Sequence, residues 1–208
     1  SLMDELLAKH TSMRITVVHE DQQLEADHVY LIPPRCDLKL DGDHVRVTRQ
    51  DREAAPAAPI DVFLTSLAED RGENAVAVIL SGTGSDGSRG AACVKESGGV
   101  VLVQEPSTAA FNGMPHSAID AADVDAVLEP GELAVRLARY LHEPERDLLR
   151  GEKQPIGEDM APLDAILDVD RADRRRGQRD REGDRTAVEV ARGVAVGGNR
   201  REARLVVD

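Results

Sequence analysis

The segment Val78–Gly90, VILSGTGSDGSRG, joins a short apolar run to a glycine-rich turn that contains one carboxylate, Asp86. Its glycines, Gly82, Gly84 and Gly87, match the G-x-G-x-x-G pattern of dinucleotide-binding loops, in which the start of a helix binds the pyrophosphate. A carboxylate in such a turn can instead belong to a catalytic group whose other members lie elsewhere in the chain. The turn therefore suits either a phosphate cradle or one member of a catalytic group.

The position of Asp86 argues against the phosphate cradle. It lies at the predicted start of a helix, where it would repel a bound pyrophosphate by several kcal/mol in a dry site. Other strands precede the turn, whereas the dinucleotide pattern belongs to the first strand–helix unit, although Glu105 is placed suitably for a ribose contact. No Lys follows the glycines, which excludes a P-loop. Asp86 remains either an N-cap of its own helix or a site residue at the C-terminal edge of a sheet.

The elements around this turn are predicted from apolar spacing. Strands are indicated at 14–18, 28–33, 75–80, 100–104 and 124–128, with a hairpin around Asp41-Gly42-Asp43. Helical spacing predicts helices at 1–10, 61–71, 87–97, 114–121 and 130–141, with Gly72 as a C-cap. The alternation of strand and helix after residue 60 predicts an α/β domain with a parallel sheet.

Composition limits the classes of protein to which the chain can belong. Apolar residues make up 41% and aromatic residues 2% of the 208 residues, so the core must consist of Ala, Val, Leu and Ile. The net charge is −13, and residues 1–167 hold 15 basic and 30 acidic residues, which argues against a nucleic-acid partner. No apolar run approaches the roughly 18 residues of a membrane span, and no signal peptide follows Ser1.

Cysteine and histidine usage predicts a cytoplasmic protein without a metal or another cofactor. Cys36 and Cys93 lie far apart and form no CxxC, which is typical of reduced thiols. Five histidines show no metal-ligand spacing, and we expect most of them to be solvated: His10, His19, His28, His44 and His142.

The C-terminal third of the chain differs in character from the rest. Residues 143–162 are polar and punctuated by Pro and Gly, which is typical of a linker after a domain of residues 1–142. From 168 to 208, 37 of 41 residues are Arg, Ala, Gly, Val, Asp or Glu, so we expect a disordered tail over 163–208. All six types have codons that begin with G or C, which favours a gene read out of frame over a basic binding arm or a solvated tail.

Three motifs in a fixed order resemble one known family. They are the strand that ends in GxGxDG, the segment GGVVLVQEP, and FNGMPHSAI before VDAVL; VYLIPPRCDLKL and PIDVFLTSLAE fit the same pattern. Together they resemble the catalytic domain of chemotaxis protein-glutamate methylesterases, the CheB type, over about residues 1–140. The resemblance implies a doubly wound, mostly parallel, Rossmann-like α/β sheet of three layers with a β-hairpin insertion.

The resemblance also implies an activity and the residues that serve it. The family hydrolyses glutamate methyl esters and deamidates glutamines on chemotaxis receptors through a Ser-His-Asp triad. Asp86 is then the triad aspartate, and the backbone amide of Thr83, where the family usually has Met, donates to the oxyanion. The implied active-site loop residues are Gly82, Gly84, Gly87, Met114 and Pro115. The implied partners are methyl-accepting receptors with methylated glutamates, a histidine kinase and a fused or associated receptor methyltransferase.

The sequence departs from the family pattern at the nucleophile and the base. The GASTGG serine turn and the Q-H-(M/L)-P/D segment do not occur, and Ser1 aligns just after that histidine, so we expect an N-terminal truncation. Ser81, Ser85 and His116 are candidate substitutes, for which turn or exposed positions are expected. The sequence therefore predicts that these 208 residues alone do not hydrolyse esters.

Truncation has a consequence for folding. The first two strands lie at the centre of a sheet ordered 3-2-1-4-5, so their absence would leave the edge of the strand at 75–80 open to aggregation. FNGMP and APLDAILDV also resemble a fused CheB/CheR arrangement. Two alternative functions stay open: a non-catalytic receptor- or kinase-binding module, and a dinucleotide-binding oxidoreductase.

Overall fold

The computed structural model describes residues 7–8, 11, 13–26, 28–50 and 58–142, and the backbone of two strands near the C-terminus. The described strands are β1 (Arg14–Val17), β2 (Gln22–Gln23), β3 (His28–Leu31), β4 (Cys36–Asp41), β5 (His44–Arg49), β6 (Val76–Ile79), β7 (Val100–Gln104), β8 (Ala126–Leu128), β9 (Gly193–Val196) and β10 (Arg204–Val207). The described helices are α1 (Pro59–Arg71), α2 (Ser88–Glu96), α3 (Gly113–Ala121) and α4 (Pro130–His142), with 3₁₀ turns at Gly72–Asn74 and Pro106–Thr108.

The main sheet has seven strands in the order β1-β3-β10-β9-β6-β7-β8. Strands β1, β3 and β10 are parallel to one another, and so are β6, β7 and β8. Strand β9 is antiparallel to both of its neighbours, and the remaining six strands of this sheet all run in the same direction. The predicted mostly parallel α/β fold is confirmed.

Strand β6 shows why the sheet is covered on both faces. Successive side chains of a strand point to opposite faces. Ala77 and Ile79 belong to a core with residues of α1, α2 and α3, whereas Val76 and Val78 pack with Leu133 of α4. All four residues of the strand are buried, as the continuous apolar run predicts for a strand between two helical layers.

Two strands lie within the segment for which the sequence predicts disorder. Residues 193–196 and 204–207 form β9 and β10 within this segment. Strand β9 pairs with β6, and β10 pairs with β3. The edge of β6 is therefore paired in the structure, whereas the sequence analysis expected it to be open. Residues 143–192 and 197–203, including the predicted linker, lie outside the described part of the chain, and the predictions for them stay predictions.

The predicted hairpin is confirmed and belongs to a second sheet of order β2-β5-β4. Its two-residue turn contains Gly42 with φ +57°, a conformation that glycine adopts without steric cost. The hairpin is fastened to α1, because Ser66 Oγ accepts the N–H of Leu40 at 2.9 Å and Asp70 Oδ1 accepts the N–H of Gly42 at 2.7 Å.

The predicted helices from residue 59 onward form within about two residues of their expected bounds. Helix α1 begins at Pro59, whose missing N–H costs nothing at the first helical position, and ends at Arg71 with the predicted Gly72 as its C-cap, at φ +53°. The helix predicted at 1–10 lies mostly outside the described residues. Among the helices that the structure describes, none is long and apolar enough to cross a membrane.

Candidate active site

Asp86 caps a helix, but not the one that follows it. Its Oδ1 accepts the backbone N–H of Asp61 at 2.9 Å, and its Oδ2 accepts that of Ile60 at 3.2 Å. Both donors belong to the first turn of α1, whose N-cap residue Ala58 has no polar side chain. The interpretation of Asp86 as the N-cap of its own helix is therefore wrong, because Gly87 takes that position in α2.

Asp61 makes the reciprocal contact. Its Oδ1 accepts the backbone N–H of Gly90 in the first turn of α2 at 2.9 Å, and its Oδ2 lies 3.0 Å from Arg89 Nε. The Asp61 residue is only 6% exposed, so its charge depends on these partners rather than on water. The starts of α1 and α2 are thus joined by two carboxylates, each bound to the N–H groups of the other helix.

The environment of Asp86 has opposing effects on its acidity. Burial is the largest influence and raises the pKa of Asp86, and the charge of Asp61 acts in the same direction. The N–H groups of Asp61, Ile60 and Gly87 favour the ionised form and partly offset that rise. An ionised carboxylate has about four acceptor positions, and the described residues supply three donors, which leaves room for one more. That position suits an imidazole N–H.

The loop before Asp86 is hydrogen-bonded to the loop before α3 and to the first turn of that helix. Gly82 N–H donates to Phe111 O at 2.9 Å, and Met114 N–H donates to Gly82 O at 3.0 Å. A Cβ on Gly82 would collide with Sδ of the buried Met114, so any larger residue would force that side chain to move. Gly84 has φ +81°, and its backbone lies directly against Gly113. The structure therefore brings the predicted loop residues Gly82, Gly84 and Met114 together, with Pro115 buried at the start of α3.

Thr83 lies exposed at the tip of this loop. Both of its neighbours are hydrogen-bonded. Gly82 donates its N–H to the Phe111 carbonyl, and the Ser117 hydroxyl donates to the Gly84 carbonyl at 3.3 Å. No acceptor for the Thr83 amide occurs among the described residues. The amide is accordingly available to a bound oxygen atom.

The candidate substitutes for a serine–histidine pair do not meet. Ser81 Oγ accepts the N–H of Phe111 at 3.0 Å, and Ser81 N–H donates to Gln104 Oε1 at 2.9 Å, so this serine fastens the loop. Ser85 and His116 are exposed, and none of the hydrogen bonds of the described residues joins a serine hydroxyl to a histidine ring. Turn and surface positions are what the sequence predicts for them.

His28 is buried, although it is one of the five histidines of which the sequence predicts that most are solvated. It is 5% exposed, its Nε2 lies 2.7 Å from Thr16 Oγ1, and its ring stacks on Tyr30 with 4.4 Å between the centroids. His28 begins β3, whereas Asp86 follows the end of β6, which runs in the same direction. His28 therefore lies at the end of the sheet where these strands begin, and Asp86 lies at the opposite end, where they finish.

The family follows from a comparison with known proteins. A family model described as CheB methylesterase matches residues 1–137. The chain belongs to the CheB methylesterase family. Its relatives include a putative protein-glutamate methylesterase/protein-glutamine glutaminase of Leptospira interrogans, 34% identical over 64% of this chain and 70% of that protein. Protein-glutamate methylesterase/protein-glutamine glutaminase 2 of a Shewanella species is 32% identical over 69% of this chain and 42% of that protein.

The chain corresponds to only part of some relatives. An uncharacterized 104.1 kDa protein of Rhodobacter capsulatus is 44% identical over 156 residues, which are 74% of this chain and 16% of that protein. The crystal structure of the Thermotoga maritima CheB methylesterase catalytic domain matches with a TM-score of 0.59 and 25% identity, over 66% of this chain and 75% of that one. The sequence comparison and the structural comparison thus agree on the CheB methylesterase family.

The dinucleotide-binding alternative is not favoured for this CheB-family chain. Both helix starts at the site already bind carboxylates, so a pyrophosphate at α2 would have to displace Asp61. The carboxylate of Glu105 also has local partners, the N–H and hydroxyl of Ser107 at 3.4 and 3.3 Å. No free anion site of the Rossmann type is left at this turn.

Sequence reasoning missed Asp61, which shares the site with Asp86. Within PIDVFLTSLAE it is an ordinary acidic residue in the first turn of a helix, a position that such residues favour for local reasons. Its side-chain partner Gly90 lies 29 residues away. A single sequence contains no local signal for that contact.

Proposed function

We propose that this chain is the part of a protein-glutamate methylesterase that supplies the triad aspartate, Asp86. The proposed substrates are glutamate methyl esters, and glutamine amides, on methyl-accepting chemotaxis receptors. The observation that carries the proposal is the Asp86 carboxylate, held at the C-terminal edge of the sheet by the N–H groups of Ile60 and Asp61. An ionised carboxylate has about four acceptor positions, so it can accept a further donor. Membership of the CheB family supports the same function.

Asp86 acts through an imidazole. Its carboxylate accepts the Nδ1–H of a histidine, which leaves Nε2 unprotonated and able to take the proton of a serine hydroxyl. Burial makes the carboxylate a more basic acceptor by raising the pKa of Asp86, while the backbone donors keep it in one orientation. A fixed orientation matters because proton transfer requires heavy atoms within hydrogen-bond distance.

The serine oxygen forms a bond to the ester carbonyl carbon, and the carbonyl oxygen becomes an oxyanion. In the proposal the Thr83 amide donates to this oxygen, which costs no local hydrogen bond because the amide has no acceptor among the described residues. The imidazolium then protonates the departing methoxide, methanol leaves, and water hydrolyses the acyl-serine to a glutamate carboxylate. With glutamine as substrate, ammonia leaves instead.

The serine and the imidazole are proposed to come from polypeptide outside the 208 residues. Neither the GASTGG turn nor the Q-H-(M/L)-P/D segment occurs within them. The match to 16% of a 104.1 kDa relative supports a longer parent protein. A receptor methyltransferase fused to that parent, a histidine kinase partner and a cytoplasmic location belong to the same proposal.

Methanol release from a methylated receptor tests this function. The intact gene product that contains the segment is expected to release methanol, and the 208-residue chain alone is expected to release none. Turnover by the 208 residues alone, abolished by Asp86→Asn, would show that the serine and base lie within them after all. Receptor binding without turnover by the intact product would instead show a binding module.

A further inference from the structure

The two carboxylates of the candidate site bind crosswise to two helix starts. Asp86 precedes α2 and accepts the N–H groups of Ile60 and Asp61 at the start of α1. Asp61 belongs to α1, and its side chain accepts the N–H of Gly90 at the start of α2. Each helix therefore depends on a carboxylate from the segment that begins the other.

Local caps would satisfy the same N–H groups without linking the helices. Ser, Thr, Asn or Asp at an N-cap position binds the N–H groups of the helix that follows it directly. The two N-cap positions hold Ala58 and Gly87, and neither residue has a polar side chain. Any movement of α1 relative to α2 at this end consequently changes the donors that hold Asp86.

We propose that Asp61 is a positioning residue for Asp86, an inference that rests on the proposed function of Asp86 in the triad. Its backbone N–H holds Oδ1 of Asp86, and its side chain fixes the helix that begins two residues after Asp86. The Asp86 carboxylate is thereby kept in one orientation, and so is its remaining acceptor position. An imidazole that must exchange protons with a serine needs this fixed orientation, because proton transfer requires heavy atoms within hydrogen-bond distance.

Asp61 also acts on Asp86 through its charge. The two carboxylates repel each other, and after burial this repulsion contributes to the raised pKa of Asp86. Arg89 opposes the repulsion, because its Nε lies 3.0 Å from Asp61 Oδ2, but its side chain is 79% exposed and strongly screened by water. Asp61 is therefore expected to make Asp86 more basic as well as to fix its orientation.

Carboxyl-carbon NMR titration of Asp86 in the 208-residue chain tests this inference. Asp61→Asn keeps an oxygen for the Gly90 N–H but removes the charge, so we expect the pKa of Asp86 to fall. Asp70→Asn is the matched control, since it makes the same change at the other end of α1, where Asp70 accepts the N–H of Gly42. The control is expected to leave the titration of Asp86 unchanged.

Arg89→Gln gives a second measurement that does not depend on the folding of a buried variant. It removes the cation next to Asp61 from an exposed position, so we expect the pKa of Asp86 to rise rather than fall. If the titration of Asp86 is the same in the unchanged chain and in both variants, the inference is overturned.

Turnover separates this inference from the proposed function. In the intact gene product we expect Asp61→Asn to lower kcat by up to about 100-fold with KM nearly unchanged, because a small displacement of a catalytic group has effects of that order. If Asp86→Asn leaves ester hydrolysis intact, the proposed function of Asp86 fails, and the titration still decides whether Asp61 controls Asp86. If Asp86→Asn abolishes hydrolysis while Asp61→Asn leaves kcat unchanged, only the positioning role is lost.

Discussion

Gly90 of α2 lies so close to Leu64 of α1 that a Cβ built on Gly90 would stand 2.5 Å from the Cβ of Leu64. The same atom would lie 3.2 Å from the Cα and the carbonyl oxygen of Asp61. Both distances are shorter than ordinary van der Waals contacts, so a glycine is needed where the two helices approach. The approach that brings Gly90 to Leu64 also brings its N–H to the Asp61 carboxylate.

Gly90→Ala is therefore expected to destabilise the protein. Overpacking of a close contact typically costs about 1–3 kcal/mol, because backbone and side chains must move apart. Urea denaturation followed by circular dichroism measures the loss. Gly131→Ala is the control, since nothing lies within 4 Å of its Cβ position and alanine is favoured in helices by up to about 1 kcal/mol. Equal stability of the two variants would contradict the close contact.

Asp86→Asn in the intact gene product is expected to reduce kcat for methyl ester hydrolysis by about 10⁴-fold, with a much smaller effect on KM. The amide of Asn offers an N–H to the imidazole and so favours the wrong tautomer. Methanol release at saturating substrate measures the change. Asp120→Asn removes one charge from an exposed position on α3 and should leave kcat as it is. A similar loss in both variants would show that charge alone is responsible.

His28 should make stability depend on pH below neutrality. Burial lowers the pKa of His28 from 6.5, and the Glu25 carboxylate, 3.8 Å from Nδ1, opposes this only partly. The unfolded chain then binds a proton at a higher pH than the folded chain. The stabilising contribution is complete above pH 6.5 and is lost as the pH falls through the folded-state value.

Urea denaturation at a series of pH values measures that dependence. We expect the free energy of unfolding to fall as the pH is lowered through the His28 titration, and His28→Gln to remove most of the fall. His44→Gln changes an exposed histidine of β5 and should retain it. A pH dependence that survives in His28→Gln would assign the effect to other groups.

Ala195→Pro tests the pairing of the C-terminal strands. Ala195 lies in β9 opposite Ala77 of β6 and Val206 of β10, and proline in a strand with two neighbours removes a ladder hydrogen bond. We expect the variant to leave the edge of β6 unpaired and to associate at concentrations at which the unchanged chain is monomeric. Size-exclusion chromatography with light scattering measures the association. A monomeric variant of unchanged stability would argue against the pairing.

Much of the fold was predictable because its signals are local. The buried strands β6 and β7 follow from continuous β-branched runs, and the β4–β5 hairpin follows from a glycine between two alternating segments. The strands β9 and β10 were missed, because four-residue runs in an Arg- and Gly-rich segment have no periodicity of their own. Their place between β3 and β6 depends on edges that other parts of the chain provide.

The sequence by itself determined the order of the strands and helices between residues 28 and 142, the family motifs and the position of Asp86 at a turn after a buried strand. Only the tertiary structure decided that Asp86 caps α1 and that Asp61 caps α2. These hydrogen bonds join residues 25 to 29 positions apart. They exist because α1 and α2 pack closely at Gly90, and a contact of that kind depends on how the helices meet in space rather than on spacing along the chain.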